Sequence, residues 1–151
     1  KDFDQPPYSK KAFFNFQNID RETQKAVDDF AVKTPNLKTM IKNLSGGNVQ
    51  KLILARELSR KPRVLIAAQP TRGVDIGASE YIHLRLLEQR DLGMATLLIS
   101  EDLDEIRALS DRIAVIFEGR IIGIVDGPTS TSEVLGLMMA GISKEEALQS
   151  A

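Results

Sequence analysis

Two clusters in this chain have residue types and spacing that could do chemistry. Leu44-Ser45-Gly46-Gly47-Asn48 sets a hydroxyl, two glycines and an amide just ahead of a helical stretch. A serine there can cap the first helical turn, and residues without a Cβ let backbone N–H groups approach a ligand closely. The helix N-terminus adds a partial positive charge, so the tip suits a phosphate. A plain Ser-Gly-Gly turn is the alternative that five residues alone leave open. The second cluster, VLIAAQPTRGVD from Val64 to Asp75, is an apolar strand that stops at Gln69-Pro70. Polar chemistry usually sits at the mouth of such a strand in an α/β protein. Here the mouth offers Ala67, Ala68 and the amide of Gln69, and the first carboxylate is Asp75 in the loop beyond.

The elements that must position these clusters follow from periodicity. Val49, Leu52, Ile53, Leu54 and Leu58 predict a helix from about 48 to 60, closed by Lys61-Pro62. A buried strand over 64–68 follows, then a helix over about 78–92 ending at Gly93, and a second buried strand, ATLLIS, over 95–100. Leu103–Leu109 reads as a short helix behind Glu101-Asp102. Arg112–Phe117 and Arg120–Val125 read as a hairpin across Glu118-Gly119, and two helices close the chain. Alternating strands and helices argue a parallel sheet covered by helices. Upstream, Asp20 can cap a helix that Thr34-Pro35 stops. Residues 1–19, with Phe13, Phe14 and Phe16, read as an extended arm whose rings pack on a core.

Composition narrows the function classes. The 151 residues carry 20 basic and 21 acidic side chains, a net charge of -1, which leaves no nucleic-acid footprint even beside the aromatic arm. Without cysteine there is no disulfide or thiolate chemistry. No apolar run approaches the roughly 20 residues of a membrane span. His83 has no second imidazole or thiol for a metal site and reads as a surface helix position. The chain opens at Lys1, in the middle of a polar phrase, so a longer parent protein is expected.

The order LSGGN, helix of about a dozen residues, apolar strand, Pro-Thr and loop aspartate resembles the nucleotide-binding domain of ABC transporters. In that family a signature motif LSGGQ, its helix, a Walker B strand ending Asp-Glu-Pro-Thr, a D-loop and a switch strand ending in histidine occur in this order. The resemblance runs from Leu44 to about Gly127. Asn48 in place of glutamine, together with QPTRGVDIG, is similar to importers for simple sugars and nucleosides, and most to the second, often degenerate domain of the nucleoside type. No G-x-x-x-x-G-K-[ST] phosphate loop and no Q-loop occur in the chain. The implied fold is therefore α/β, a partial P-loop NTPase (RecA-like) core without its Walker A half. The implied domains are a helical signature subdomain with its arm over 1–62 and the C-terminal part of the core over 63–151.

The resemblance implies roles residue by residue. Ser45, Gly46, Gly47 and Asn48 fall on the signature motif, with Gln50 just inside its helix, and Asp75 falls on the D-loop aspartate. In the family ATP lies between one domain's phosphate loop and the other's signature motif, so this tip would complete the site of a partner domain. Ala68 takes the place of the magnesium-orienting aspartate, Gln69 that of the glutamate that activates water, and Glu101 that of the switch histidine. An amide cannot accept a proton as a carboxylate does. At about 5 Å from a phosphate charge, Glu101 would repel it by about 3 kcal/mol at an effective dielectric near 20. No catalytic residue is expected in the chain.

The resemblance further implies ATP and Mg2+ in the full assembly, a first ATP-binding domain and membrane permeases as partners, and a solute-binding protein indirectly. It implies a peripheral place on the cytoplasmic face of the plasma (inner) membrane. In the family the phosphate-loop strand lies between the strands matching 95–100 and 112–117. Without it the sheet is expected to have a gap, and the chain alone to rearrange locally or dimerise through open edges. An ATPase of DNA repair or chromosome maintenance and a nucleotide-independent interaction module are the competing readings.

Overall fold

The computed structural model describes residues 6–10 and 13–150. Its elements are β1 (Ser9–Lys10), β2 (Phe13–Phe14), α1 (Phe16–Asp29), α2 (Gly46–Leu58), β3 (Val64–Ala68), α3 (Ile76–Asp91), β4 (Ala95–Ile99), α4 (Leu103–Leu109), β5 (Arg112–Phe117), β6 (Arg120–Asp126), α5 (Ser132–Met139) and α6 (Lys144–Ser150). They divide into two compact units, Lys1–Pro62 with Thr71–Ile82, and Arg63–Pro70 with His83–Ala151.

In the first unit, β1 and β2 form a short antiparallel hairpin. The aromatic arm does not pack its rings on a core: Phe13, Phe14 and Phe16 are 80%, 50% and 69% exposed, and the rings of Phe14 and Phe16 are tilted by 59° at 6.1 Å between centroids. The remainder of that expectation, residues 1–5 and 11–12, lies outside the described residues. Helix α1 starts before the expected Asp20 cap, because the Asn15 side chain accepts from Asn18 N at 3.1 Å and satisfies the first turn five residues earlier. It also stops early, at Asp29 with Phe30 as its C-cap, and Ala31 follows at φ 47°, ahead of Thr34-Pro35. Among the described residues of this unit, Leu54, Ala55 and Leu58 on α2, Ala78 and Ile82 on α3, and Val32 are the buried hydrophobic side chains. The i, i+4 spacings 54/58 and 78/82 keep each set on one helix face.

In the second unit, β3 and β4 pair in parallel from Val64↔Ala95 to Ala68↔Ile99. The hairpin β5–β6 turns at Glu118-Gly119, both at positive φ (46° and 77°), the turn that matches strand twist. Helix α5, capped by Thr131 on Val134 N at 3.1 Å, lays Val134, Leu135 and Met138 onto Ile113, Val115 and Val125, with Ala147 of α6 closing the cluster.

Two sequence expectations change here. The described strands form three separate two-stranded sheets, so there is no continuous parallel sheet, and β4 and β5 leave the expected gap unpaired. The strands 64–68 and 95–100 are also not buried throughout. Leu65 is buried, but Val64, Ile66, Leu97 and Ile99 are 64%, 67%, 56% and 49% exposed. Period-two geometry sends these side chains to one face, and no described element covers it. Periodicity cannot reveal that, since a strand covered on both faces and one covered on a single face can share an apolar run.

His83 is a further correction. It is not a free surface position: its side chain is 26% exposed, and Nε2 lies 3.0 Å from Oε1 of Glu105, a carboxylate only 2% exposed. The partner sits 22 residues away on α4, a separation no local pattern reports.

Candidate functional site

The glycine tip belongs wholly to the first unit. Ser45 is the N-cap of α2, and its Oγ accepts from Asn48 N at 3.4 Å and from Asn48 Nδ2 at 2.9 Å. Asn48 Oδ1 in turn accepts from the backbone N of Lys33 at 2.7 Å, which ties the chain following α1 to the first turn of α2. Both ends of the Asn48 amide are thus engaged within the chain. Ser45 and Gly46 are exposed, Gly47 is buried, and Asn48 and Gln50 are half-buried. Asp75 stands beside the tip: its Oδ1 accepts from Ala78 N at 2.9 Å and its carbonyl from Ser79 N at 2.9 Å, so it caps α3. Two helix N-termini, each with its partial positive charge, thus carry a polar cap in the same unit.

The strand mouth belongs to the second unit. Ala68 pairs with Ile99 in register, and Gln69 N donates to Ile99 O at 2.8 Å. Ala68, Gln69 and Glu101 are therefore brought to the same end of the β3–β4 pair. Ala68 and Glu101 are exposed, and Gln69 sits at φ 50°, in the left-handed region that non-glycine residues rarely adopt. The adjacent carboxylate, Asp102, is occupied as the N-cap of α4, accepting from Asp104 N at 2.9 Å and Glu105 N at 3.1 Å. A methyl group, an amide and one solvent-exposed carboxylate do not fit a magnesium ion, which is held through carboxylate oxygens. Among the described residues no cluster of three His, Cys, Asp or Glu could hold a metal.

Sequence reasoning missed three links. The Asp102 cap had a signal, the Asp-x-x-Glu spacing of Asp102 and Glu105 just before an apolar helix. The Asn48–Lys33 bond and the stacking of Lys51 Nζ 4.3 Å above the Tyr81 ring had none.

No family model matches the chain. It is 50% identical over 141 residues to the guanosine import ATP-binding protein NupO of Bacillus subtilis (strain 168), covering 93% of this chain and 28% of that protein. It is 48% identical over 136 residues to the nucleoside import ATP-binding protein NupA of Lactococcus lactis subsp. cremoris (strain MG1363), covering 90% of this chain and 27% of that protein. The ribose import ATP-binding protein RbsA of Clostridium perfringens (strain 13 / Type A) is 42% identical over 139 residues, 89% of this chain and 28% of its own length. The chain thus spans little more than a quarter of the length of these relatives. Among solved structures, the dimeric post-hydrolysis ATP-binding cassette MJ0796, bound to ADP and Pi, superposes with a TM-score of 0.64 at 20% identity, over 81% of this chain and 52% of that one. The cassette MJ1267 of an ABC transporter gives 0.65 at 25% identity, over 80% and 49%. The chain is therefore homologous to sugar and nucleoside import ATP-binding proteins over about nine tenths of its length, and its fold is that of about half an ABC ATPase cassette.

Proposed function

We propose that this chain is part of the ATP-binding subunit of an importer for nucleosides or simple sugars, and that its Ser45–Asn48 tip completes the ATP site of a partner cassette domain. The observation that carries the reading is the exposed, capped N-terminus of α2, with Ser45 and Gly46 open to solvent, in a chain about half identical to nucleoside import ATP-binding proteins. Exposed backbone N–H groups and a helix N-terminus favour a triphosphate supplied from outside the chain. The chain's own strand mouth, Ala68, Gln69 and Glu101, binds no magnesium through a carboxylate at the strand end and activates no water, so hydrolysis falls to the partner's residues. The part played by the assembly follows: permeases receive the closure of the two cassette domains, and the subunit sits against the cytoplasmic face of the membrane. No helix among the described residues is long and apolar enough to cross one.

The test separates charge from capping. Aspartate and asparagine are both good N-caps, so Ser45→Asp and Ser45→Asn both keep α2 intact, and only the first adds a negative charge. In the complete importer, Ser45→Asp should lower ATP turnover by about 100-fold, the result of roughly 3 kcal/mol of repulsion at about 5 Å. Ser45→Asn should keep most of it. Equal turnover by the two variants would overturn the assignment of the tip to a phosphate. Tip-dependent association of the domains that proceeds equally with and without ATP would favour a nucleotide-independent interaction module instead.

A further inference from the structure

The two glycines of the tip are packed against their own chain. A Cβ on Gly47 would stand 2.7 Å from the Ala78 Cβ and 3.5 Å from Asp75 Oδ2, and a Cβ on Gly46 would stand 2.9 Å from the carbonyl oxygen of Gly73. Carbon atoms in contact sit about 3.5–4.0 Å apart, so neither position has room for a side chain. Glycines kept only for the approach of a ligand would meet open space at those points. The surrounding links run the same way. Lys51 Nζ lies over Tyr81 of α3 and 3.4 Å from the Ala31 carbonyl at the end of α1, and Asn48 holds Lys33 N. The compact unit that contains the tip also contains Thr71–Ile82, whereas the strand leading into that loop, Arg63–Pro70, is grouped with the other unit.

We infer that Ala78 is a positioning residue: Gly47 seats against its methyl group, and this contact locks the Ser45–Asn48 tip to the Thr71–Asp75 loop so that Ser45 and Asp75 are held as one piece. Any alanine-sized or larger group at 47, or a larger one at 78, pushes the N-terminus of α2 off the cap of α3. The lock is a property of this chain alone. Its consequence for ATP rests on the reading of the tip given above.

Amide hydrogen exchange on the full-length protein tests it. Helix propensity by itself favours alanine over glycine at 47, so a lock predicts an effect of opposite sign. Gly47→Ala should speed exchange at residues 47–49 and 78–80 about tenfold or more, the expected result of overpacking a closed contact. Adding Ala78→Gly should return most of that protection. The same Ala78→Gly should not rescue Gly46→Ala, whose obstruction is the Gly73 carbonyl. Ala78→Val, which presses on the contact from the other side, should loosen the same two segments. If Gly47→Ala does not fold, recovery of folding in the Gly47→Ala/Ala78→Gly pair is the same rescue and supports the lock. Unchanged exchange around residue 78 in Gly47→Ala, or equal rescue of Gly46→Ala and Gly47→Ala, would overturn it. If exchange follows this pattern but ATP turnover of the assembly does not, the lock stands and the partner-site reading falls.

Discussion

At the tip of α2, Ser45, Gly47 and Asn48 each meet another group of the first unit, whereas at the ends of β3 and β4 Ala68 and Glu101 stand exposed and Gln69 holds a left-handed backbone. Both places are polar ends of elements in an α/β frame. The difference lies in where the polar atoms are used. The tip uses Ser45 Oγ and the Asn48 amide to fix its own geometry. The strand mouth presents a methyl group at Ala68 and an amide at Gln69, and the polar contacts of that unit include the Asp102 cap and the His83–Glu105 pair. The tip's geometry thus depends on internal packing, while the chemistry of the strand end rests on the identity of its three side chains.

The largest effect should come from reversing that asymmetry. In the complete protein, with a working phosphate loop facing this strand mouth, Ala68→Asp, Gln69→Glu and Glu101→His together should raise turnover at this half-site by about 100-fold, the scale of one positioned general base. Steady-state ATPase measurements with the partner site inactivated would read it, and no gain would mean that something other than missing carboxylates silences this end. Next, His83→Ala removes a group facing the buried Glu105 carboxylate and should cost about 2 kcal/mol in chemical denaturation. A cost near zero would show that the pair is not where the second unit keeps its polar stability. Asn48→Ala breaks the bonds to Lys33 N and Ser45 Oγ at the tip and should cost about 1 kcal/mol, since these groups are partly solvated. Thermal melting that does not shift would separate the tip's geometry from this amide. The smallest effect belongs to the uncovered sheet face. Ile66→Ser at a side chain left 67% exposed should change the stability of this chain by less than about 0.5 kcal/mol. A loss of 2 kcal/mol would mean that the β3–β4 face is covered by another copy in solution.

Much of the fold was legible because it is local. β3, the start of β4, the whole of α4 and the Glu118-Gly119 turn follow from apolar runs and turn residues, and the structure places them within a residue or two of expectation. The Ser45 cap and the neighbouring glycines were legible for the same reason, since a helix start is written in four consecutive residues. One local reading failed, since Asn15 and not Asp20 caps α1; the other failures were long-range, the phenylalanines of the arm staying exposed and His83 finding a partner 22 positions away.

The sequence by itself determined the order and type of the elements from α2 onward, a capped, glycine-rich helix start at Ser45 and the absence of carboxylates at Ala68 and Gln69, because each depends on neighbours in the chain or on side-chain identity. Only the tertiary structure decided that Gly47 is closed against Ala78, that Asn48 binds Lys33, and that one face of β3–β4 is bare. Those outcomes depend on which surfaces meet after folding, and side chains brought together across 15 or 30 residues leave no periodic trace in the order of amino acids.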